Sequence, residues 1–131
     1  METKIVLDFI HAINCANVIK MCDLMAIYHI FIDSQDNRTI GKETMRQAWM
    51  GYFTLFPDYK IEVTQTIEKG SFICILGYAS AAYKNLKNKE NSIYWRIPAA
   101  WTATNEAPRR KRSGFQNLSL WIKCTPLGAG N

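Results

Sequence analysis

Asp33 is the residue of this sequence best placed to do chemistry. It closes the segment Tyr28-His29-Ile30-Phe31-Ile32-Asp33, whose β-branched and aromatic composition is that of a strand. Side chains alternate along a strand, so His29, Phe31 and Asp33 share one face. A carboxylate among aromatic side chains gains basicity, the property a general base needs. The competing role is structural: the polar stretch 34–39 reads as a turn, and Asp33 suits an Asx-type turn with the backbone after it. His29 and Asp33 lie about 13 Å apart along an extended chain, so they could only share a substrate.

Other candidates carry less. His11 follows Asp8 by three residues on a helical segment, where the two could pair on a solvated face. Neither histidine has metal-ligand spacing, and no metal or organic cofactor is implied. Arg96 stands between Trp95 and Ile97 and faces opposite to Trp95. Its fork suits a ligand carboxylate, a surface carboxylate or a subunit interface. Cys15, Cys22, Cys74 and Cys124 form no CxxC pair and no Cys/His cluster. They read as small buried thiols, with nothing to mark a disulfide framework or a catalytic nucleophile.

The chain has 131 residues, 48% of them hydrophobic and 21% charged, which fits one globular domain spanning 1–131 and argues against disorder or coiled coil. Of the formal net charge of +5, four charges lie in the single run Arg109–Arg112. No aromatic residue interleaves that run, and no helix–turn–helix or RNP-like motif accompanies it. It reads as a solvated loop, and nucleic acid is not an expected partner. The longest weakly polar run, Phe72 to Tyr83, is too short to span a bilayer. Glu2, Asp8 and His11 break up the N-terminal apolar stretch, so it does not read as a signal peptide. The expectation is a cytoplasmic protein with no membrane partner.

The elements that must position these residues follow from periodicity. Residues 3–15 read as a helix, with Ile5, Phe9, Ile13 and Ala16 at helical spacing. Asn17 suits the N-cap of a second helix through Met25. After the strand and turn, Gly41 to Phe56 reads as a third helix with Met45, Trp49, Tyr52, Phe53 and Phe56 on one stripe, ended by Pro57. The rest reads as β. In 59–68, Tyr59, Ile61, Val63, Gln65 and Ile67 alternate with polar residues, which makes a strand with one wet face. Ser71–Tyr83 is apolar on both faces, and Ser92–Thr104 is rich in Trp and Ala. Phe115–Cys124 is the last strand, and 125–131 a frayed tail. Three N-terminal helices and a run of long strands make an α+β fold, a curved antiparallel sheet covered by helices into a cone.

Several stretches resemble the SnoaL-like branch of the nuclear transport factor 2-like superfamily. They are Phe9-Ile10-x-Ala12-Ile13-Asn14, Asp23-Leu24-Met25, Phe31-Ile32-Asp33-Ser34, Gly41-Lys42-Glu43, Ala48-Trp49-x-Gly51-Tyr52-Phe53-x-x-Phe56-Pro57-Asp58-Tyr59 and Trp95-x-x-Pro98-Ala99-Ala100-Trp101. The likeness runs from about residue 5 to residue 104, and the segment after it departs from the family pattern. The superfamily holds polyketide cyclases, ketosteroid isomerases, dehydratases and non-catalytic dimerising domains, so the resemblance implies a fold more than an activity.

The resemblance implies that Phe9, Phe31, Trp49, Phe53, Phe56, Trp95 and Trp101 line a hydrophobic pocket for a small apolar or aromatic molecule. The Asp that removes a proton beside a carbonyl in ketosteroid isomerases matches Asp33. The position of that enzyme's oxyanion-donating Tyr is Phe9, and its protonated Asp falls near Ala99 and Ala100. Without those donors, ketosteroid isomerase activity itself is not expected. The Trp49 indole N–H could donate one hydrogen bond to a ligand. The expected function is therefore small-molecule binding, extended to acid–base chemistry on a carbonyl compound if the protein is an enzyme. The alternative is an interaction module with a packed interior. The family also implies a homodimer through the outer sheet face.

Overall fold

Helix α1 (Thr3–Asn14) forms because its apolar residues return every three or four positions. Val6, Phe9, Ile10 and Ile13 are buried on one face, while on the other Lys4 pairs with Asp8 at 2.8 Å. Asp8 thus takes Lys4 as its partner rather than His11, whose Nε2 instead lies 3.7 Å from Cys15 Sγ. These contacts come from a computed structural model, which describes residues 3–33, 35–83, 93–104 and 121–126, with Tyr83, Ile93 and the last of these stretches by backbone alone. Expectations for 84–92, 105–120 and 127–131, including the basic run, lie outside the described residues.

The end of α1 is a Schellman motif. The Asn17 N–H donates to the Ala12 carbonyl and the Ala16 N–H to the Ile13 carbonyl, each at 2.9 Å. Closing the motif puts Ala16 at φ 52°, in the left-handed region, and turns it out to solvent instead of into the expected apolar stripe. Asn17 then starts α2 (Val18–Leu24), its side chain accepting from the Lys20 N–H at 3.1 Å.

Strand β1 (Ile30–Ile32) is shorter than the expected segment, and the stretch after it is not all turn. The chain reverses after Asp33, so that β2 (Arg38–Ile40) pairs antiparallel with β1, Phe31 opposite Thr39. Helix α3 (Lys42–Leu55) follows directly, with Gly41 at φ 101° as its N-cap. Strands β3 (Lys60–Lys69), β4 (Phe72–Tyr83), β5 (Ile93–Thr104) and β6 (Trp121–Pro126) complete one sheet of order β2-β1-β6-β5-β4-β3. Its pairings are antiparallel except β1 with β6. Thr125 and Pro126 pair with β5 opposite Ala100 and Ala99, so the last strand runs past the expected end at Cys124. The expected α+β architecture, three helices against a curved open sheet, is the one observed.

A β-bulge between Val63 and Gln65 bends β3. The extra residue reverses the facing of everything after it. Ile61 is buried, whereas Ile67 is exposed, on the side opposite the one that simple alternation gives it. Across the bulge the backbones nearly touch at Gly77, where a Cβ would stand 1.8 Å from the Glu62 carbonyl oxygen. Only glycine fits there. Asn14 pins α1 to the same strand: its side chain donates to the Ile61 carbonyl at 2.9 Å and accepts from the Ile61 N–H at 2.7 Å. One amide thereby satisfies both backbone groups of an edge-strand residue.

The concave face of β4 and β5 carries the core. Ile73, Ile75, Ala79, Ala81, Ala99, Trp101 and Ala103 are buried against α1 residues and Met45 of α3. Among the described residues no helix is long and apolar enough to cross a membrane.

Candidate functional site

Between the helices and the concave face lies a cavity of about 400 Å³. Helix α1 contributes Val6, Phe9, Ile10 and Ile13, and α3 contributes Met45, Ala48, Trp49 and Tyr52. Phe31, Asp33 and Thr39 come from the β1–β2 hairpin. Tyr59, Ile61, Ile75, Trp101 and Ala103 close the sheet side. Asp33 is the single charged group of this described wall, and most of the remainder is hydrocarbon.

Asp33 is held by its own turn. Its Oδ1 accepts from the backbone N–H of Gln35 and of Asn37, both at 2.9 Å, and its Oδ2 accepts from Asn37 Nδ2 at 3.2 Å. These donors, the Asn37 N–H foremost, hold the carboxyl below its ordinary value. The direction is opposite to the raised basicity that aromatic neighbours alone would give. The turn-forming role of Asp33 is therefore real, and the same residue still lines the cavity.

Of the expected pocket residues, the structure brings Phe9, Phe31, Trp49 and Trp101 together in the wall, and places Phe53, Phe56 and Trp95 outside it. Helix geometry explains two of the departures. Phe53 is rotated about 80° from Met45 around α3, and Phe56 lies about 16 Å beyond Met45 along the axis. Trp95 is six residues, about 20 Å, from Trp101 on the same face of β5. Each of the three packs against a ring of the wall, Phe53 on Trp49, Phe56 on Tyr52 and Trp95 on Tyr59. Phe56 and Trp95 meet edge to face with centroids 6.0 Å apart, and Phe53 stacks on Trp49 at 5.3 Å. Tyr52 and Tyr59, which the sequence did not single out as wall residues, join the two regions with rings 5.0 Å apart. Their signal was present: Tyr52 lies three residues after Trp49 on the same helix face, and Tyr59 starts the alternation of β3.

Two buried polar groups have no hydrogen-bond partner among the described residues. One is Trp49 Nε1, which has no accessible surface although other atoms of its residue line the cavity. The other is the His29 ring, 0% exposed, whose two nitrogens are both unpaired and whose centroid lies 6.2 Å from that of Phe9. Burial pulls the His29 pKa down to about 4, so the imidazole is neutral at pH 7.

The remaining candidates sit elsewhere. Arg96 pairs with Glu62 at 3.0 Å and lies over the Tyr78 ring at 3.7 Å, on the outer face of the sheet. Of its three possible partners it has the surface carboxylate. Cys15, Cys22 and Cys74 are free thiols, and Cys15 is exposed rather than buried. Burial raises the Cys22 thiol above its ordinary value. Among the described residues, no three His, Cys, Asp or Glu side chains gather as metal ligands would.

No family model and no curated protein matches the sequence. Solved structures do match. A SnoaL-like protein from Shewanella denitrificans superposes with a TM-score of 0.77 at 13% identity, over 94% of this chain and 88% of that one. The chain has the SnoaL-like, nuclear transport factor 2-like fold. A cystatin-fold protein from Novosphingobium aromaticivorans matches at 0.69 and 11% identity, over 92% and 94%. A protein of ketosteroid isomerase-like fold from Catenulispora acidiphila, in complex with trimethylamine, matches at 0.67 and 13%, over 95% and 85%. The SnoaL-like structure has diverged far in sequence here, and the likeness carries the fold alone.

Proposed function

We propose that this SnoaL-like chain binds a small, mainly apolar molecule in the cavity, held by a hydrogen bond from the Trp49 indole. The observation that carries this reading is an apolar space of about 400 Å³ whose wall includes the Trp49 ring and the Asp33 carboxylate. The Trp49 N–H is unpaired and closed off from the cavity, so a turn of the ring would be needed for it to meet a ligand acceptor, and pairing would then recover about 1–3 kcal/mol. The volume lies within the usual range for small-molecule pockets and favours ligand binding over the packed interaction module. That the Catenulispora neighbour holds trimethylamine supports small-molecule binding in this fold.

The chemical extension is acid–base work on a carbonyl compound, Asp33 taking the proton and Trp49 holding the carbonyl oxygen. Both residues line the same cavity. The three donors on Asp33 make it a weak base, so binding is the leading reading and catalysis its extension. The test is a thermal-shift screen of polycyclic ketones, with affinities then measured by tryptophan fluorescence. Trp49→Phe should weaken the best ketone about tenfold, the worth of one hydrogen bond. Trp95→Phe, outside the wall, should leave it unchanged. Equal affinity in wild type and Trp49→Phe would overturn the role of the indole, and a screen in which no ketone binds would overturn the reading. For catalysis, turnover unchanged in Asp33→Asn would exclude Asp33 as base.

The outer sheet face supports a homodimer. Ile67, Phe72 and Tyr94 are exposed on it, at 45%, 51% and 64%, beside the half-buried Cys74, Leu76 and Tyr78.

A further inference from the structure

The described cavity wall has one sign of charge. Among its sixteen residues there is no Lys, Arg or His, and Asp33 is the single ionisable carboxylate. A carboxylate offers about four acceptor sites, and the turn fills three of those on Asp33: two on Oδ1 and one on Oδ2. Acceptor capacity therefore remains on Oδ2. Phe31 lies two residues earlier on the same face, within about 7 Å along the chain, so a group placed against Asp33 also meets an aromatic ring. Trp49, Tyr52, Tyr59 and Trp101 supply further rings in the same wall. Aromatic rings attract cations, and a low-dielectric cleft of one sign concentrates the opposite charge.

We infer that the cavity selects an organic cation, a protonated amine on an apolar body, with Asp33 as its counter-ion; this rests on the ligand-binding reading above. An anion of the same shape meets a like charge and no basic group in the described wall. A neutral molecule forgoes both the charge-assisted hydrogen bond and the cation–ring attraction, and gains in their place at most one neutral hydrogen bond from Trp49, about half as strong as a charge-assisted one. Because the turn already donates to Asp33, the carboxylate is held in its charged form and in place before the ligand arrives.

Three probes with one body test this: 1-adamantylamine, 1-adamantanol and adamantane-1-carboxylate, titrated into wild-type protein by calorimetry at pH 7 in low salt. The amine should bind on the order of tenfold tighter than the alcohol, and the carboxylate weakest. The preference should shrink in 1 M NaCl and disappear in Asp33→Asn. Equal affinities for amine and alcohol in low salt, or tightest binding by the carboxylate, would overturn the inference and leave ligand binding intact. A preference that survives in folded Asp33→Asn would overturn the role of Asp33. Failure of all three probes to bind would count against both readings. If Asp33→Asn does not fold, the wild-type comparison at two salt concentrations decides alone.

Discussion

Lowering the pH from 7 to 5 should cost this protein about 2 kcal/mol through His29 alone. The folded ring has a pKa of about 4, against 6.5 for a free histidine, because it is buried without a partner for its charge. Between those values the unfolded chain binds more protons than the folded one, so stability rises with pH. The full contribution is present above about pH 6.5 and is lost as the pH falls toward 4. The whole shift corresponds to about 3.4 kcal/mol, of which about 2 falls between pH 7 and pH 5. Asp8, Asp33 and Glu43, all held below their ordinary values, act lower still: their stabilisation is present above about pH 4 and fades below it. Urea unfolding at pH 7 and pH 5 isolates the His29 contribution. Wild type should lose about 2 kcal/mol, and His29→Phe, an apolar ring beside Phe9, should lose almost none. An equal loss in both proteins would refute the reasoning.

Three further perturbations follow from the fold. Ala16→Gly should relieve the left-handed backbone at the end of α1 and raise stability by about 0.5–1 kcal/mol, read as a gain of a few degrees in Tm; a fall in Tm would contradict the motif. Gly77→Ala should be strongly destabilising, about 3 kcal/mol or more by urea unfolding, because its Cβ would collide with the Glu62 carbonyl; a near-neutral effect would show that the bulge gives way. Light scattering should report twice the monomer mass for wild type, and the monomer for Phe72→Glu combined with Tyr94→Glu; a monomeric wild type would exclude the outer-face dimer.

The helices were legible because their signals are local. The 3.6-residue period, Asn17 as a cap and Pro57 as a stop depend on neighbours within one or two turns. The strands β3, β4 and β5 were legible for the same reason, from alternation and long apolar runs. What alternation could not convey was the bulge at Val63–Gln65, which depends on a pairing partner and moves Ile67 to the other face. Nor could it convey β2, which exists because the Asp33 turn returns the chain to β1. In the candidate site, aromatic identity picked out Phe9, Phe31, Trp49 and Trp101, which line the cavity. Phe53, Phe56 and Trp95 lie beside the cavity, Phe53 through its rotation around α3 and the other two through distance along their elements. The environment of Asp33 was open in the sequence because both outcomes, aromatic neighbours and donors from its own turn, are written in adjacent residues. The folded turn supplies the donors and sets the direction.

Filling the cavity tests the central claim most directly. Ala103 is 2% exposed and lines the cavity from β5, so Ala103→Phe places a ring in the space a ligand would take. Titration of 1-adamantylamine should give saturable one-site binding to wild type and none to a folded Ala103→Phe protein. Equal binding to both would show that the ligand sits elsewhere and would contradict the account.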